Sequence, residues 1–166
     1  MAKTKLDEID FQILDELQRD GRMTNVDLAE KVGISAPPCL RRVRALEEAG
    51  YIKGYHAELD HAKLGYGITV FAQVALTQSS SENIQEFQKI VAKYPEVREC
   101  HMLTGDADSM LKIVAKDWEA FQDFLTDKLT ANDLVGSVKS SISVGTPIDR
   151  PGVPVEKDLE LARQED

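Results

Sequence analysis

Arg41, Arg42 and Arg44 form a compact basic group in the chain. A guanidinium presents a planar fork of donors that matches a phosphate or the O6/N7 edge of guanine, so this group points to nucleic acid. A second group is the run Thr104-Gly105-Asp106-Ala107-Asp108. Its glycine lets backbone amides approach a carboxylate, and Asp106 or Asp108 can face an ammonium, a pairing suited to a free amino acid. The same residues also make an ordinary turn, which the loop by itself favours. Catalysis has little to stand on: His56, His61 and His101 make no ligand-spaced cluster with Cys39 or Cys100, and no Gly-x-Ser-x-Gly occurs. Cys100 and His101 adjoin on an expected strand and point to opposite faces, so a buried thiol and a hydrogen-bonded imidazole are expected there. Gly65-Tyr66-Gly67 is too short for a phosphate loop and reads as a joint before a strand. No metal, no cofactor and no enzymatic activity are expected.

The arginines need a scaffold, and residues 6 to 49 supply one. Leu6, Ile9, Ile13, Leu14 and Leu17 give an amphipathic helix over about Asp7 to Asp20. Thr24 with Asp27 is a capping-box-like start for a short helix ending at Gly33. Ser35 can cap a third helix, with Pro37 and Pro38 tolerated in its first turn, running to about Ala49. Two helices joined by Gly33-Ile34-Ser35 behind a supporting helix are a helix-turn-helix, whose second helix enters the major groove. On a helical wheel Leu40, Val43 and Glu47 share one side with Leu46 and Cys39 nearby, and Pro38, Arg41, Arg44 and Ala45 lie opposite. Arg42 falls on the flank, placed to hold a phosphate or an acidic side chain such as Glu47 or Glu48. A merely solvated helix face would carry the same charges; helix order, the short turn and the local charge favour DNA. Tyr51 to Leu59 reads as an extended segment, either a wing or an interdomain strand.

The net charge of −9 over 166 residues runs against nucleic-acid binding until its distribution is considered. Residues 1 to 54 hold nine Lys/Arg and ten Asp/Glu, whereas residues 55 to 166 hold eleven and nineteen. Within 35 to 56 the balance reverses, with Arg41, Arg42, Arg44 and Lys53 against Glu47 and Glu48. The apolar fraction of 42% indicates a folding, core-forming chain. The run Ile68 to Leu76 is too short for a bilayer, no secretory segment opens the chain, and two unpaired cysteines suit a reducing compartment, so a cytoplasmic, nucleoid-associated protein is expected.

The second half reads as β-α-β-β-α-β. Ile68 to Leu76 is a strand; Ser79 with Glu82 can start a helix carrying Ile84, Phe87, Ile90 and Val91, closed by Pro95. Val97 to Leu103 and Ser109 to Ala115 flank the Gly-Asp loop as a hairpin. Asp117 can cap a helix with Trp118, Phe121, Phe124, Leu125 and Leu129, and Val135 to Val144 alternates as a last strand. The fold class is α+β: a winged helix-turn-helix joined to a ferredoxin-like domain. The expected boundaries are 1–54 for DNA binding, 55–66 for a linker, 67–146 for effector binding and oligomerisation, and 147–166 for a loosely ordered tail.

Ile9-Asp10-Phe11-Gln12-Ile13-Leu14, the block 25 to 35, Pro38-Cys39-Leu40-Arg41-Arg42-Val43-Arg44-Ala45-Leu46-Glu47 and Gly50-Tyr51-Ile52 resemble the Lrp/AsnC family, closest to its leucine-responsive subgroup. The resemblance spans about residues 6 to 145, with Phe11 standing where a polar or basic residue is common. It implies a sequence-specific transcriptional regulator that binds double-stranded DNA through Ser35, Pro38, Arg41, Arg42, Arg44, Ala45 and Lys53. It also implies a homodimer assembled further into tetramers or octamers. An amino-acid effector site between dimers is implied at Leu103, Thr104, Gly105, Asp106, Asp108, Ser141, Ile142 and Ser143. Ala107 and Ser109 stand where related loops often have larger apolar or aromatic residues, so the resemblance implies an amino acid without specifying leucine. Two other readings stay open: an architectural DNA-organising protein of low specificity, and a metabolite-binding α/β domain whose helical appendage contacts protein.

Overall fold

The computed structural model describes residues 6–155, and these form two compact units, 6–58 together with 148–155, and 59–147. The first unit is built on α1 (Glu8–Arg19), α2 (Asn25–Lys31) and α3 (Ala36–Glu48). Asp7 and Asp10 close a capping box at the start of α1, each carboxylate accepting the other residue's backbone N–H at 3.0 and 3.1 Å. Thr24 accepts from the Asp27 amide at 3.2 Å and starts α2. Ile13, Leu28, Ala29, Val32, Cys39 and Leu46 make the core these helices share. Gly33 takes φ +72° in the turn between α2 and α3, a conformation that a side chain rarely adopts. The Asn25 amide nitrogen donates to the Ala36 carbonyl at 2.8 Å, fixing how α3 leaves that turn.

The segment expected as a wing or strand is neither: residues 51–60 have no strand partner among the described residues. The Tyr51 and Ile52 amides instead fold back onto the Leu46 carbonyl at the end of α3. Residues 148–155 carry no helix or strand, but Val153 N–H donates to Gln18 Oε1 at 3.1 Å, laying this stretch along α1. Leu159, Leu161 and Ala162 of the expected tail lie outside the described residues.

The second unit is β1 (Ile68–Leu76), α4 (Ser81–Val91), β2 (Val97–Met102), β3 (Ser109–Ala115), α5 (Trp118–Asp123) and β4 (Val135–Ile142). The sheet order is β2-β3-β1-β4, with each neighbouring pair antiparallel, as a ferredoxin-like fold requires. Period-two alternation puts Val70, Ala72, Val74, Leu111, Ile113 and Ala115 on one face, where Phe87 and Val91 of α4 and Phe121, Phe124 and Leu129 cover them. α5 continues into a π-helical turn over Phe124–Leu129, and that widened spacing keeps Leu129 on the buried side. Gly67 marks the joint before β1: a side chain there would bring its Cβ to 2.8 Å from the Lys116 carbonyl.

The opposite face of the sheet carries no helix. Phe71 and Gln73 of β1, Met110, Lys112 and Val114 of β3, and Lys139 and Ser141 of β4 stand on it. Two details depart from expectation. α4 is capped by Ser80, not Ser79, with its hydroxyl accepting the Asn83 amide at 3.2 Å. Cys100 is exposed, not buried, because β2 is an edge strand whose outer residues outrun the cover of α4. His101 is hydrogen-bonded as expected, to Glu99 Oε2 at 2.9 Å. Among the described residues no helix is long and apolar enough to cross a membrane.

Candidate nucleic-acid interface and effector loop

The buried residues of α3 are Cys39 and Leu46, with Val43 and Arg42 half-buried beside them. That inward line sets the outward one, about half a turn away. Pro37, Leu40, Arg41, Arg44, Ala45 and Glu48 line a shallow concavity of about 330 Å³ on the solvent side of the helix. Leu40 was expected to face inward; it is 39% exposed and stands with the arginines, because the core selects Cys39, Val43 and Leu46 and leaves it on the rim. Arg41 and Arg44 have no ion-pair partner among the described residues. Lys53 is exposed in the coil after α3. Ser35 occupies the N-cap position without a side-chain capping bond, so its exposed hydroxyl is uncommitted.

Arg42 behaves differently. Its Nη1 contacts Asp7 Oδ2 and Asp10 Oδ1, both at 2.8 Å, and not Glu47 or Glu48 as expected from the wheel. The two acceptors are the capping-box carboxylates, so Arg42 clamps α3 to the start of α1. Hydrogen bonds to Asp10 and then Asp7 push the guanidinium pKa further up. Asp7 is drawn below the usual carboxylate range: partial burial opposes this, but the Asp10 amide and Arg42 prevail. Glu47 is also committed, accepting from the Tyr55 hydroxyl at 3.0 Å. Burial, then this carboxylate, raises the Tyr55 phenol to about 12.

The loop between β2 and β3 is closed by Leu103 N–H donating to the Asp108 carbonyl at 3.0 Å, and Gly105 within it takes φ +123°. Asp108 is the pin of this loop. Its amide donates to the Val74 carbonyl at 2.9 Å, and its Oδ2 accepts the Leu76 amide at 2.7 Å. A register shift at Ala75/Leu76 takes β1 out of step with β4 just there, where the Asp108 side chain supplies an acceptor for the end of the strand. The Ser79 hydroxyl, then the Leu76 amide, hold the Asp108 carboxyl below its ordinary pKa. Asp106 is exposed at the loop tip, with no hydrogen-bond or ion-pair partner among the described residues.

Ser141, Ile142 and Ser143 do not join this loop within one chain. Ser141 pairs with Phe71 and Ile142 with Val70, while Ser143 N–H donates to Thr69. The loop is anchored at Val74 and Leu76 on the other side of β1. Four residues along a strand span about 13 Å, so the two halves lie toward opposite ends of one sheet.

Two family models match this architecture: Winged helix-turn-helix DNA-binding over residues 6–53, and Lrp/AsnC ligand binding domain over residues 69–153. The chain belongs to the Lrp/AsnC family of transcriptional regulators. It is 49% identical over 144 residues to the leucine-responsive regulatory protein of Rhizobium meliloti, covering 87% of this chain and 92% of that one. It is 42% identical to the Bkd operon transcriptional regulator of Pseudomonas aeruginosa, over 91% and 99% of the two chains. Among solved structures it superposes with TM-score 0.87 and 35% identity on a transcriptional regulator of Neisseria meningitidis in complex with L-Met, over 90% and 97% of the chains. An Lrp/AsnC regulator is not an enzyme, and this one has the family's two working parts, a DNA-binding helix-turn-helix and a ligand-binding domain.

Three features of this Lrp/AsnC chain escaped the sequence reading. The partners of Arg42 required knowing that Asp7 and Asp10 meet at one helix end, although their three-residue spacing was a capping-box signal. The exposure of Leu40 had a signal too, since on the wheel it is about 100° from Cys39 and only at the rim of the apolar stripe. Ser79 had none, because its contact with Asp108 is set by how the chain leaves β1.

Proposed function

We propose that the outward face of α3 is the DNA-reading surface of this regulator, with Arg41 and Arg44 contacting guanine edges or phosphates and Ser35, Pro38, Ala45 and Lys53 framing them. Arg42 acts as a positioning residue that holds α3 against α1. The observation carrying this reading is the division among three neighbouring arginines: two point outward with no carboxylate partner among the described residues, while the third is bound to two. A guanidinium without an internal partner is free to displace counterions from DNA. Replacing Arg41 and Arg44 together by alanine lowers affinity for a selected operator duplex and flattens its dependence on salt. Unchanged affinity and slope overturn the assignment, and a specific-to-nonspecific ratio below ~10³ favours the architectural reading.

The effector is an amino acid bound at the β2–β3 loop. Gly105 and the neighbouring amides receive its carboxylate, the uncommitted Asp106 faces its ammonium, and Asp108 holds the loop in shape. The L-Met complex of the Neisseria relative supports this ligand class. Since Ser141, Ile142 and Ser143 sit away from the loop of their own chain, the site is completed by a second protomer, which ties ligand occupancy to assembly. The helix-free sheet face, with Phe71 38% exposed at its centre, supplies the dimer surface. The protein works in the cytoplasm, at the nucleoid, as dimers or larger assemblies. Sedimentation of the full chain with a panel of amino acids tests this: at least one shifts assembly or operator affinity, and Asp106→Ala removes the shift.

A further inference from the structure

We infer that Leu40 is a base-reading residue of this regulator that recognises the C5-methyl group of a thymine, close to the guanine read by Arg44. The inference rests on the assignment of α3 as the DNA-reading helix and adds to it one apolar contact. Leu40 is the fifth residue of α3, within the N-terminal half that meets base edges when such a helix lies in the major groove. Its side chain is exposed in the same shallow concavity as Arg41 and Arg44, not folded into the core. Leu40 and Arg44 are four residues apart and share a helix face. A leucine left 39% exposed on the outward face of α3, beside arginines, lies outside the core made by Cys39 and Leu46, whereas the thymine methyl is the apolar feature of the major-groove edge. The flanking arginines, without an ion-pair partner among the described residues, make this surface complementary to DNA rather than to another apolar partner.

The geometry fixes where the thymine stands. Four residues of helix rise about 6 Å, and stacked base pairs are about 3.4 Å apart, so it lies within one or two base pairs of the guanine. The test uses the full-length protein and a duplex recovered by selection from a randomised pool. Each thymine is then replaced singly by deoxyuridine, which keeps the pairing edge and O4 but lacks the methyl. For the wild type, one position per half-site loses about fourfold in affinity, the equivalent of about 0.8 kcal/mol for one buried methyl. Leu40→Ala binds the thymine duplex with a similar loss and is indifferent to uracil at that position, while Leu40→Met keeps the sensitivity. The inference is overturned if no position shows this coupling, or if selection recovers no preferred sequence. Arg41→Ala and Arg44→Ala separate the two levels of the reading. If they weaken binding and the uracil series is flat, Leu40 alone is wrongly assigned; if they too are silent, α3 is not the DNA-reading helix.

Discussion

Replacing Arg42 by alanine separates positioning from reading within a run of three arginines. Two charge-assisted hydrogen bonds of 2.8 Å disappear, one to Asp10, whose side chain is 13% exposed, and one to Asp7, which is 52% exposed. Bonds to charged groups contribute about 1.5–3 kcal/mol when shielded and about 0.2–1 kcal/mol when solvated. With Arg42 itself 31% exposed, the Asp10 bond is discounted to about 1 kcal/mol and the Asp7 bond to about 0.5 kcal/mol. The capping-box carboxylates are also left facing each other without a cation, so the sum is a lower figure. At roughly 4–8 °C per kcal/mol for a unit of this size, the transition of the helix-turn-helix falls by about 6–12 °C. Differential scanning calorimetry on the full chain reads this, and operator binding is then measured well below the lowered transition. There the slope of log affinity against log salt stays at the wild-type value, because Arg42 is committed to Asp7 and Asp10, whereas losing Arg41, as a phosphate contact, reduces it by about 1 per bound copy. A reduced slope with an unchanged transition would refute the division of labour.

Asp108→Asn removes a carboxylate whose pKa is depressed in the folded protein, so the wild type has that stabilisation above about pH 4 and loses it as pH falls through the depressed value; thermal melts from neutral to acid show a smaller acid loss in the variant. Gly67→Ala drives a Cβ against the Lys116 carbonyl and lowers the melting transition of the second unit by the equivalent of about 1–3 kcal/mol, while an alanine at Gly145, where nothing lies within 4 Å, leaves it in place. Phe71→Asp puts a charge at the centre of the uncovered sheet face; if that face is the proposed dimer surface, sedimentation finds the wild type dimeric and the variant monomeric at the same concentration.

The elements were legible in the sequence where local chemistry and periodicity agreed. Thr24 and Asp117 stand at the N-caps of their helices, and the run of Ser109 to Ala115 gave a strand with those bounds. What could not be read is set by distance in the chain or by the edge of an element. The π-helical turn after Asp123 changes helical spacing without a marking glycine or proline. The exposure of Cys100 depends on β2 lying at the sheet edge, a property of strand order and not of its own residues. Asp108 was legible as a loop carboxylate, but its acceptor role depends on the Leu76 amide at the register shift between β1 and β4, 32 residues away in sequence. The arginine group was visible as charge; its division into two outward residues and one clamp depended on carboxylates on another helix.

That division bounds what one copy can do. With Arg42 committed to Asp7 and Asp10, each α3 surface offers Arg41, Arg44 and Lys53 as cations, and Glu48 lines the same concavity. Even with all three cations on phosphates the salt slope is only about −2.7 for one copy and about −5.4 for two, an upper bound once Arg44 reads a base. On a chain of net charge −9, with the acidic excess in its second half, no broad basic field is available to add to this. On the proposed assembly, tight operator binding is expected to come from several copies engaging adjacent half-sites, acting through effective concentration and not through stronger contacts per copy. A slope steeper than about −5.4 on an operator counts more than one dimer on the DNA, and an assembly-disrupting Phe71→Asp chain returns the slope to that of an isolated α3 surface, about −2.7. A steep slope retained by the monomeric variant would mean that cations outside α3 and Lys53 carry the DNA.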